Sequence, residues 1–173
     1  MSASEPGTPP ASTPRHGGPA VPADGLIDPI ALAAVLLLLI NDHVLKQIWP
    51  GVVTGKLSDV AGLAFFPLVP LGVWEIGLSL AGRWRGPRAR PVIVAAALTG
   101  VAFVLVKTTA AGATAFGWAI SFGQWLPAAL AGLVTGHASQ MGQPAAVVRD
   151  ATDLIALPAL LLAVYAGLRR PRA

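Results

Sequence analysis

Long apolar runs separated by short polar stretches are the dominant pattern of this chain. Several runs approach twenty residues, the length that a helix needs to cross a bilayer. We therefore predict an all-α fold, a polytopic membrane helical bundle with four transmembrane helices. The predicted spans cover residues 28–49, 59–82, 91–109 and 152–168.

The first 25 residues differ from the rest because they are rich in Pro, Gly and Ser and contain almost no large apolar side chains. Such a segment buries too little surface to offset its ordering entropy. We predict a disordered tail over residues 1–25 and the bundle over residues 26–170. The first apolar run lacks the basic flank and the cleavage residues of a signal peptide, so we interpret it as an uncleaved span.

Proline and capping residues set the expected boundaries of the second span. Ser58 has the side chain of an N-cap and Asp59 suits a first helical turn. Residues 51–57 are therefore predicted to form a loop. Pro67 and Pro70 remove backbone donors inside the span and should kink it.

Residues 113–148 are the least regular apolar segment. Their two tryptophans, together with Gln124 and Pro127, suit a membrane interface better than a membrane interior. We predict an outer interfacial or re-entrant segment between the third and fourth spans. The alternative makes residues 116–134 a fifth span.

The positions of Lys and Arg decide between these topologies, because cytoplasmic loops carry an excess of both residues. Four spans place eight basic residues on one side and four on the other, whereas five spans divide them six to six. We therefore predict a multi-pass protein of the cell membrane with both termini cytoplasmic. The cytoplasmic set is Arg15, Arg83, Arg85, Arg88, Arg90, Arg169, Arg170 and Arg172, and the outer set is Lys46, Lys56, Lys107 and Arg149.

The amino-acid composition limits the partners that this protein can bind and the chemistry that its side chains can perform. Charged residues make up 12% of the chain, about half the fraction of soluble domains. The net charge of +4 lies mainly in tails and one loop, which argues against a nucleic-acid groove. The absence of cysteine excludes disulfides and thiolate chemistry. The expected partners are the lipid bilayer and, through small-residue helix faces, a homo- or hetero-oligomer, with no nucleic acid.

With four spans, the ionisable residues of every helix gather at one outer end of the bundle. Asp42 lies thirteen residues after Pro29, about 20 Å along a helix. It is therefore about 10 Å inside the far edge of the hydrocarbon layer, where a carboxylate requires a partner. Asp150 and Asp153 have the three-residue spacing that places two side chains on one helix face.

These residues predict a polar site with three roles. Carboxylates and a histidine can hold a divalent cation, one of them can act as a general base, and the cationic side chains suit an anionic head group. The predicted catalytic residues are Asp42, His43 and Asp59. The predicted metal ligands are Asp42, His43, Asp59, Asp150 and Asp153. The predicted substrate-binding residues are Lys46, Lys56, Lys107 and Arg149.

Several of these residues also have structural alternatives. Asp59 can serve only as a first-turn acid, and Asp150 and Asp153 have the spacing of a capping box. Glu75, at the other end of its span, is expected to pair with a cytoplasmic arginine such as Arg83, or to serve as a relay acid.

Two functions of different class follow from the pattern. The first is a membrane protein that acts on or binds a lipid or anionic head group at the outer end, with a divalent metal ion as cofactor. The second is a non-catalytic ion-handling, proton-handling or accessory subunit. Conduction needs polar groups across the full membrane depth, so the one-ended site is favoured. The sequence leaves open whether the protein is an enzyme.

Overall fold

The structure is a computed structural model that describes residues 20–136 and 140–170. All regular elements in this part of the chain are helices. The prediction of an all-α chain with four helical stretches long and apolar enough to cross a membrane is confirmed. These stretches, spans one to four, are Pro29–Ile48, Val52–Leu80, Ala89–Thr108 and Ala151–Leu168.

Span one consists of α1 (Pro29–Ile40), a π-helical turn (Asn41–Leu45) and α2 (Lys46–Ile48). At its start, the Asp28 carboxylate accepts a hydrogen bond from the Ile30 amide at 2.8 Å and caps α1. The π-helical turn contains the Asn-Asp-His sequence. Single π-turns inside α-helices are rare and are frequent at functional sites.

Span two consists of α3 (Val52–Phe65) and α4 (Leu68–Leu80). Pro67 stands at the break between them, because proline lacks the backbone donor that would continue the helix. Pro70 lies inside α4 without breaking it. The kink expected in this span therefore occurs at the first of its two prolines.

Span two begins earlier than predicted. The chain is helical from Val52, so the predicted loop over residues 51–57 is wrong. The Thr54 hydroxyl accepts a hydrogen bond from the Gly51 amide at 3.2 Å, which stabilises the earlier start. Ser58 consequently lies inside α3 rather than at its N-cap.

Span three is α5 (Ala89–Thr108), and α6 (Ala110–Thr135) follows after the single residue Thr109. The Thr109 hydroxyl accepts a hydrogen bond from the Gly112 amide at 3.0 Å and so caps α6. The 26 residues of α6 form one helix about 39 Å long. It is not among the four stretches that are apolar enough to span a membrane.

The return segment, residues 140–150, runs back along the first half of α6. The Ser121 hydroxyl donates to the Gln143 carbonyl at 3.0 Å, and the Ala145 amide donates to the Gly117 carbonyl at 3.2 Å. Within the predicted segment over residues 113–148, the described residues thus form a helix and a return segment without regular structure. Its location at the membrane interface stays a prediction.

Span four begins as a 3-10 helix (Ala151–Ala159) and continues as α7 (Leu160–Leu168). The predicted N-terminal tail lies outside the described residues as far as residue 19. Its last part is structured, because Asp24–Ile27 form a 3-10 helix. The boundary predicted at residue 25 is therefore too late.

Small residues fill the contacts between the spans. Ala31 and Ala163 are fully buried, on spans one and four. A Cβ atom added to Gly167 would lie 2.7 Å from Cγ1 of Val92, so α7 approaches α5 very closely. Close approach through small residues is typical of helix packing in membranes.

The outward faces of the spans are apolar, and large hydrophobic side chains on all four are more than half exposed. Such an extensive apolar surface is suited to contact with lipid. We call the end with Lys56 and Lys107 the lysine end, and the end with Arg90 and Arg170 the arginine end. Exposed apolar residues include Leu36, Val73, Leu98 and Leu161.

Candidate functional site

Four charged side chains from spans two, three and four form one series of ion pairs. Lys107, at the end of α5, donates to Asp59 of α3 at 2.8 Å and to Asp153 of span four at 2.7 Å. Lys56 of α3 donates to the other oxygen of Asp153 at 2.8 Å. The order Asp59–Lys107–Asp153–Lys56 alternates in charge, and we call it the ion-pair chain.

Helix geometry explains why these four residues meet. Lys56 and Asp59 are three residues apart on α3 and share one of its faces. The antiparallel course of the spans brings the end of α5 beside the start of span four. The four side chains are only 12–27% exposed, and such low exposure strengthens charged hydrogen bonds.

Thr152 connects the ion-pair chain to the start of span four. Lys56 donates to the Thr152 hydroxyl at 2.6 Å, and that hydroxyl donates to Asp150 at 2.7 Å. The Thr152 amide also donates to Asp150, at 2.8 Å. Hydrogen bonds from the Thr152 side chain and backbone lower the pKa of Asp150. Asp150 is therefore an N-cap, whereas Asp153 belongs to the ion-pair chain.

A second polar cluster is centred on Asn41, which was not among the predicted site residues. Asn41 is fully buried, and its amide donates to the Thr54 carbonyl and the Ser58 hydroxyl, both at 2.7 Å. Ser58 donates to Asp42 at 2.8 Å, and Asp42 pairs with Lys46 at 2.7 Å. The sequence signal for this cluster is an amide inside an apolar helix, which requires a partner in a membrane.

The other predicted site residues lie apart from the ion-pair chain. Asp42 is 40% exposed, and its bonds go to a lysine one turn away and to a serine rather than to an acid. His43 is exposed, with its Nδ1 atom 3.0 Å from the Leu39 carbonyl oxygen. Arg149 is exposed on the return segment.

The predicted metal site is not assembled. No group of three or more His, Asp or Glu side chains in the described ranges is placed to hold a metal ion. The carboxylates of Asp59 and Asp153 already accept lysine donors, and Asp150 caps a helix. Both oxygens of Asp153 and one oxygen each of Asp59 and Asp150 are therefore already engaged. The residues predicted as metal ligands, which the structure does not bring together in one group, are Asp42, His43, Asp59, Asp150 and Asp153.

An apolar cavity of about 230 Å³ lies beside the ion-pair chain, between α3, α5 and α6. Ser58, Asp59 and Lys107 line its polar end. Phe116 of α6 and Val147 of the return segment line another side. The rest of the lining is apolar apart from one hydroxyl, and it comprises Gly62, Leu63, Phe66, Thr99, Ala102, Phe103 and Val106.

The arginine end carries a separate ionic cluster around Arg170, whose side chain is 4% exposed. Arg170 donates to the two oxygens of Glu75 at 2.7 and 2.9 Å and to Asp24 at 2.7 Å. Burial opposes the charge of Arg170, but these two carboxylates hold its pKa above the usual value. Glu75 thus pairs with one of the arginines predicted to be cytoplasmic, but its partner is Arg170 rather than Arg83.

Comparisons of this chain with protein-family models, curated proteins and solved structures found no match. Function is therefore inferred from the geometry of the lysine end.

Proposed function

We propose that this protein is an integral membrane protein that binds an amphiphilic lipid at the lysine end. The apolar cavity holds part of the lipid chain, and the lysines of the ion-pair chain bind an anionic head group. The lysine end faces outward, and both termini are cytoplasmic. The observation that supports binding is an apolar cavity whose polar end is formed by Ser58, Asp59 and Lys107.

The lining of the cavity suits a hydrocarbon chain. Three phenylalanines contribute aromatic surface and four side chains contribute aliphatic surface. These lining residues are Phe66, Phe103, Phe116, Leu63, Ala102, Val106 and Val147. The volume of about 230 Å³ is below the roughly 300–1,000 Å³ of sites that enclose a whole small molecule. The cavity therefore accommodates one segment of a chain, while the rest of the lipid stays in the bilayer around the apolar outer faces.

The lysines of the ion-pair chain retain hydrogen-bonding capacity for a head group. A lysine ammonium has three N–H donors. Lys107 donates to Asp59 and Asp153, and Lys56 donates to Asp153 and Thr152. Among the described contacts, one donor on each lysine is left for a ligand. Phosphate or carboxylate oxygens are the acceptors that such donors bind.

The distribution of charge favours binding over ion conduction. Span two has no ionisable residue between Asp59 and Glu75, and span three has none between Arg90 and Lys107. A conduction pathway requires polar groups across the full depth of the membrane. The charged groups of these spans are confined to the two ends.

Filling the cavity tests the proposal. Ala102→Phe adds a ring to the cavity lining, whereas Val101→Phe adds the same ring at a neighbouring position that is 58% exposed and does not line it. The probe is lysophosphatidylglycerol, and its affinity is measured by native mass spectrometry of the purified protein.

We expect Ala102→Phe to weaken binding by about tenfold, equivalent to about 1.4 kcal/mol, and Val101→Phe to change it by less than about twofold. Thermal unfolding in detergent shows whether both variants are folded. Equal affinities for the two folded variants would contradict a lipid chain in this cavity.

A further inference from the structure

A second cavity, of about 530 Å³, lies between α4 and α5. At the arginine end it is lined by Trp74, Arg90 and Pro91. The rest of the lining is apolar apart from one hydroxyl, and it comprises Pro70, Leu71, Val94, Ala95, Leu98 and Thr99. The cavity thus combines a hydrocarbon-like interior with a cationic side chain at one end.

Residues 82–90, which are the loop beside this cavity and the first two residues of α5, carry positive charge that nearby acids do not neutralise. Their four arginines are exposed, and none forms an ion pair with a described residue. The acids at this end are bound by the two arginines that follow α7: Glu75 and Asp24 by one, and Asp28 by the other. The loop arginines are Arg83, Arg85, Arg88 and Arg90.

Arg90 lies near one edge of the hydrocarbon layer if α5 crosses the bilayer, and its long side chain can extend from there to the lipid phosphates. Arg90 and Lys107 are seventeen residues apart on α5, about 25 Å along the helix, and the hydrocarbon layer is about 30 Å thick. The two basic residues therefore mark opposite membrane faces. Trp74 is 57% exposed beside Arg90, and tryptophan prefers the membrane interface.

We propose that the second cavity binds an anionic phospholipid of the leaflet at the arginine end. Its phosphate contacts Arg90, and one acyl chain occupies the cavity between α4 and α5. Guanidinium groups bind phosphate oxygens in bidentate geometry, and the other loop arginines add attraction for an anionic head group. A free phosphate ion would leave the apolar lining uncovered, so a phospholipid is the better occupant.

This site goes beyond the lipid site at the lysine end. Thr99 lines both cavities, so the chain ends of two lipids from opposite leaflets can meet beside α5. The residues at the two polar ends differ, because Lys107 belongs to the first cavity and Arg90 to the second. Variants at one polar end therefore report on one site.

Two variants, each lacking one arginine, test the contact between Arg90 and the lipid head group. Native mass spectrometry compares binding of dioleoylphosphatidylglycerol with that of dioleoylphosphatidylcholine. Arg90→Gln should lower the preference for the anionic lipid about fivefold, equivalent to about 1 kcal/mol. Arg83→Gln removes the same charge but does not line the cavity, and should change the preference by less than about twofold. An equal loss in both variants would overturn the site.

A matched pair of variants tests the contact between the acyl chain and the cavity. Val94 and Ile93 are 54% and 53% exposed, and only Val94 lines the cavity. Val94→Phe should weaken phosphatidylglycerol binding about fivefold, while Ile93→Phe should leave it unchanged. Because both positions face outward, neither ring enters the packed core. Equal binding by the two variants would overturn the chain contact, and so would displacement of the lipid by inorganic phosphate.

The Arg90→Gln measurement is repeated in the Ala102→Phe background, which fills the first cavity. The loss caused by Arg90→Gln should be the same in both backgrounds. Failure of the lysine-end site would appear as unchanged lysophosphatidylglycerol binding in Ala102→Phe. Failure of the arginine-end site would appear as unchanged lipid preference in Arg90→Gln.

Discussion

Lys107 and Asn41 connect the spans at the lysine end through different chemistry. Lys107 joins two aspartates from different spans, and its charge is balanced by theirs. Asn41 joins span one to α3 through a neutral amide that is fully buried. The nitrogen of this amide is hydrogen-bonded and its oxygen is buried without a described partner, but burial of a neutral amide still costs less desolvation than burial of a charge. Asn41 can therefore be more fully buried in the protein than its charged neighbour Asp42, whose side chain is 40% exposed.

This difference predicts a ranking of two adjacent substitutions. Asn41→Ala removes two hydrogen bonds between span one and α3 and should lower the free energy of unfolding by about 1–2 kcal/mol. Asp42→Ala removes only one hydrogen bond between these helices, from Ser58, and a pair within span one, so it should lower the free energy of unfolding by less than Asn41→Ala does. Reversible unfolding in mixed micelles measures both values. A larger loss for Asp42→Ala would show that Asp42 carries the contact between these helices.

At the scale of elements, the structure differs from the sequence-based prediction where a side chain has two possible partners. Pro67 is predictable, because a missing backbone donor is a local property. Ser58 is not, because a serine can cap its own helix or bond to another. Its actual partners, Asn41 and Asp42, lie on span one. The sequence therefore indicates the helix but misplaces its start.

In the candidate site, too, local contacts are predictable from the sequence and contacts between helices are not. The shared helix face of Lys56 and Asp59 follows from their spacing. The pairing of Lys107 with Asp153 joins residues 46 positions apart, and no local pattern specifies it. The topology prediction brought these residues to one end of the bundle. It did not reveal that lysines would form ion pairs with the carboxylates that were predicted to bind a metal.

The close contact between α5 and α7 leads to a prediction about packing. Gly167→Ala would place a Cβ atom 2.7 Å from Val92 Cγ1, so the Val92 side chain or one of the helices must shift. We expect the free energy of unfolding to fall by about 1–3 kcal/mol. Gly77→Ala is the matched control, because a Cβ atom there has no neighbour within 4 Å. The control should be neutral or more stable by up to about 1 kcal/mol, since alanine favours helix. Similar losses in both variants, measured by thermal unfolding, would argue against close packing at Gly167.

At the scale of the whole molecule, charge lies at two ends and apolar surface lies between them. The two ends differ in how that charge is balanced. The ion-pair chain has two positive and two negative side chains, whereas the arginine loop has four positive ones without described partners. Cytoplasmic loops carry the excess of basic residues. The rule counts Lys and Arg themselves, because Asp and Glu contribute little, so Arg169 and Arg170 support the predicted orientation together with residues 82–90.

Orientation is testable with two positions at opposite ends of span two. Val53 is 79% exposed at the lysine end, and Ala81 is exposed just after α4 at the arginine end. The chain has no cysteine, so a single introduced cysteine is the only thiol that can react. We expect a membrane-impermeant maleimide to label Val53→Cys in intact cells and Ala81→Cys only after the membrane is opened. The reverse pattern would place the lysine end in the cytoplasm and contradict the positive-inside assignment. Labelling of both variants in intact cells would mean that span two does not cross the membrane, because its two ends would then lie on the same side.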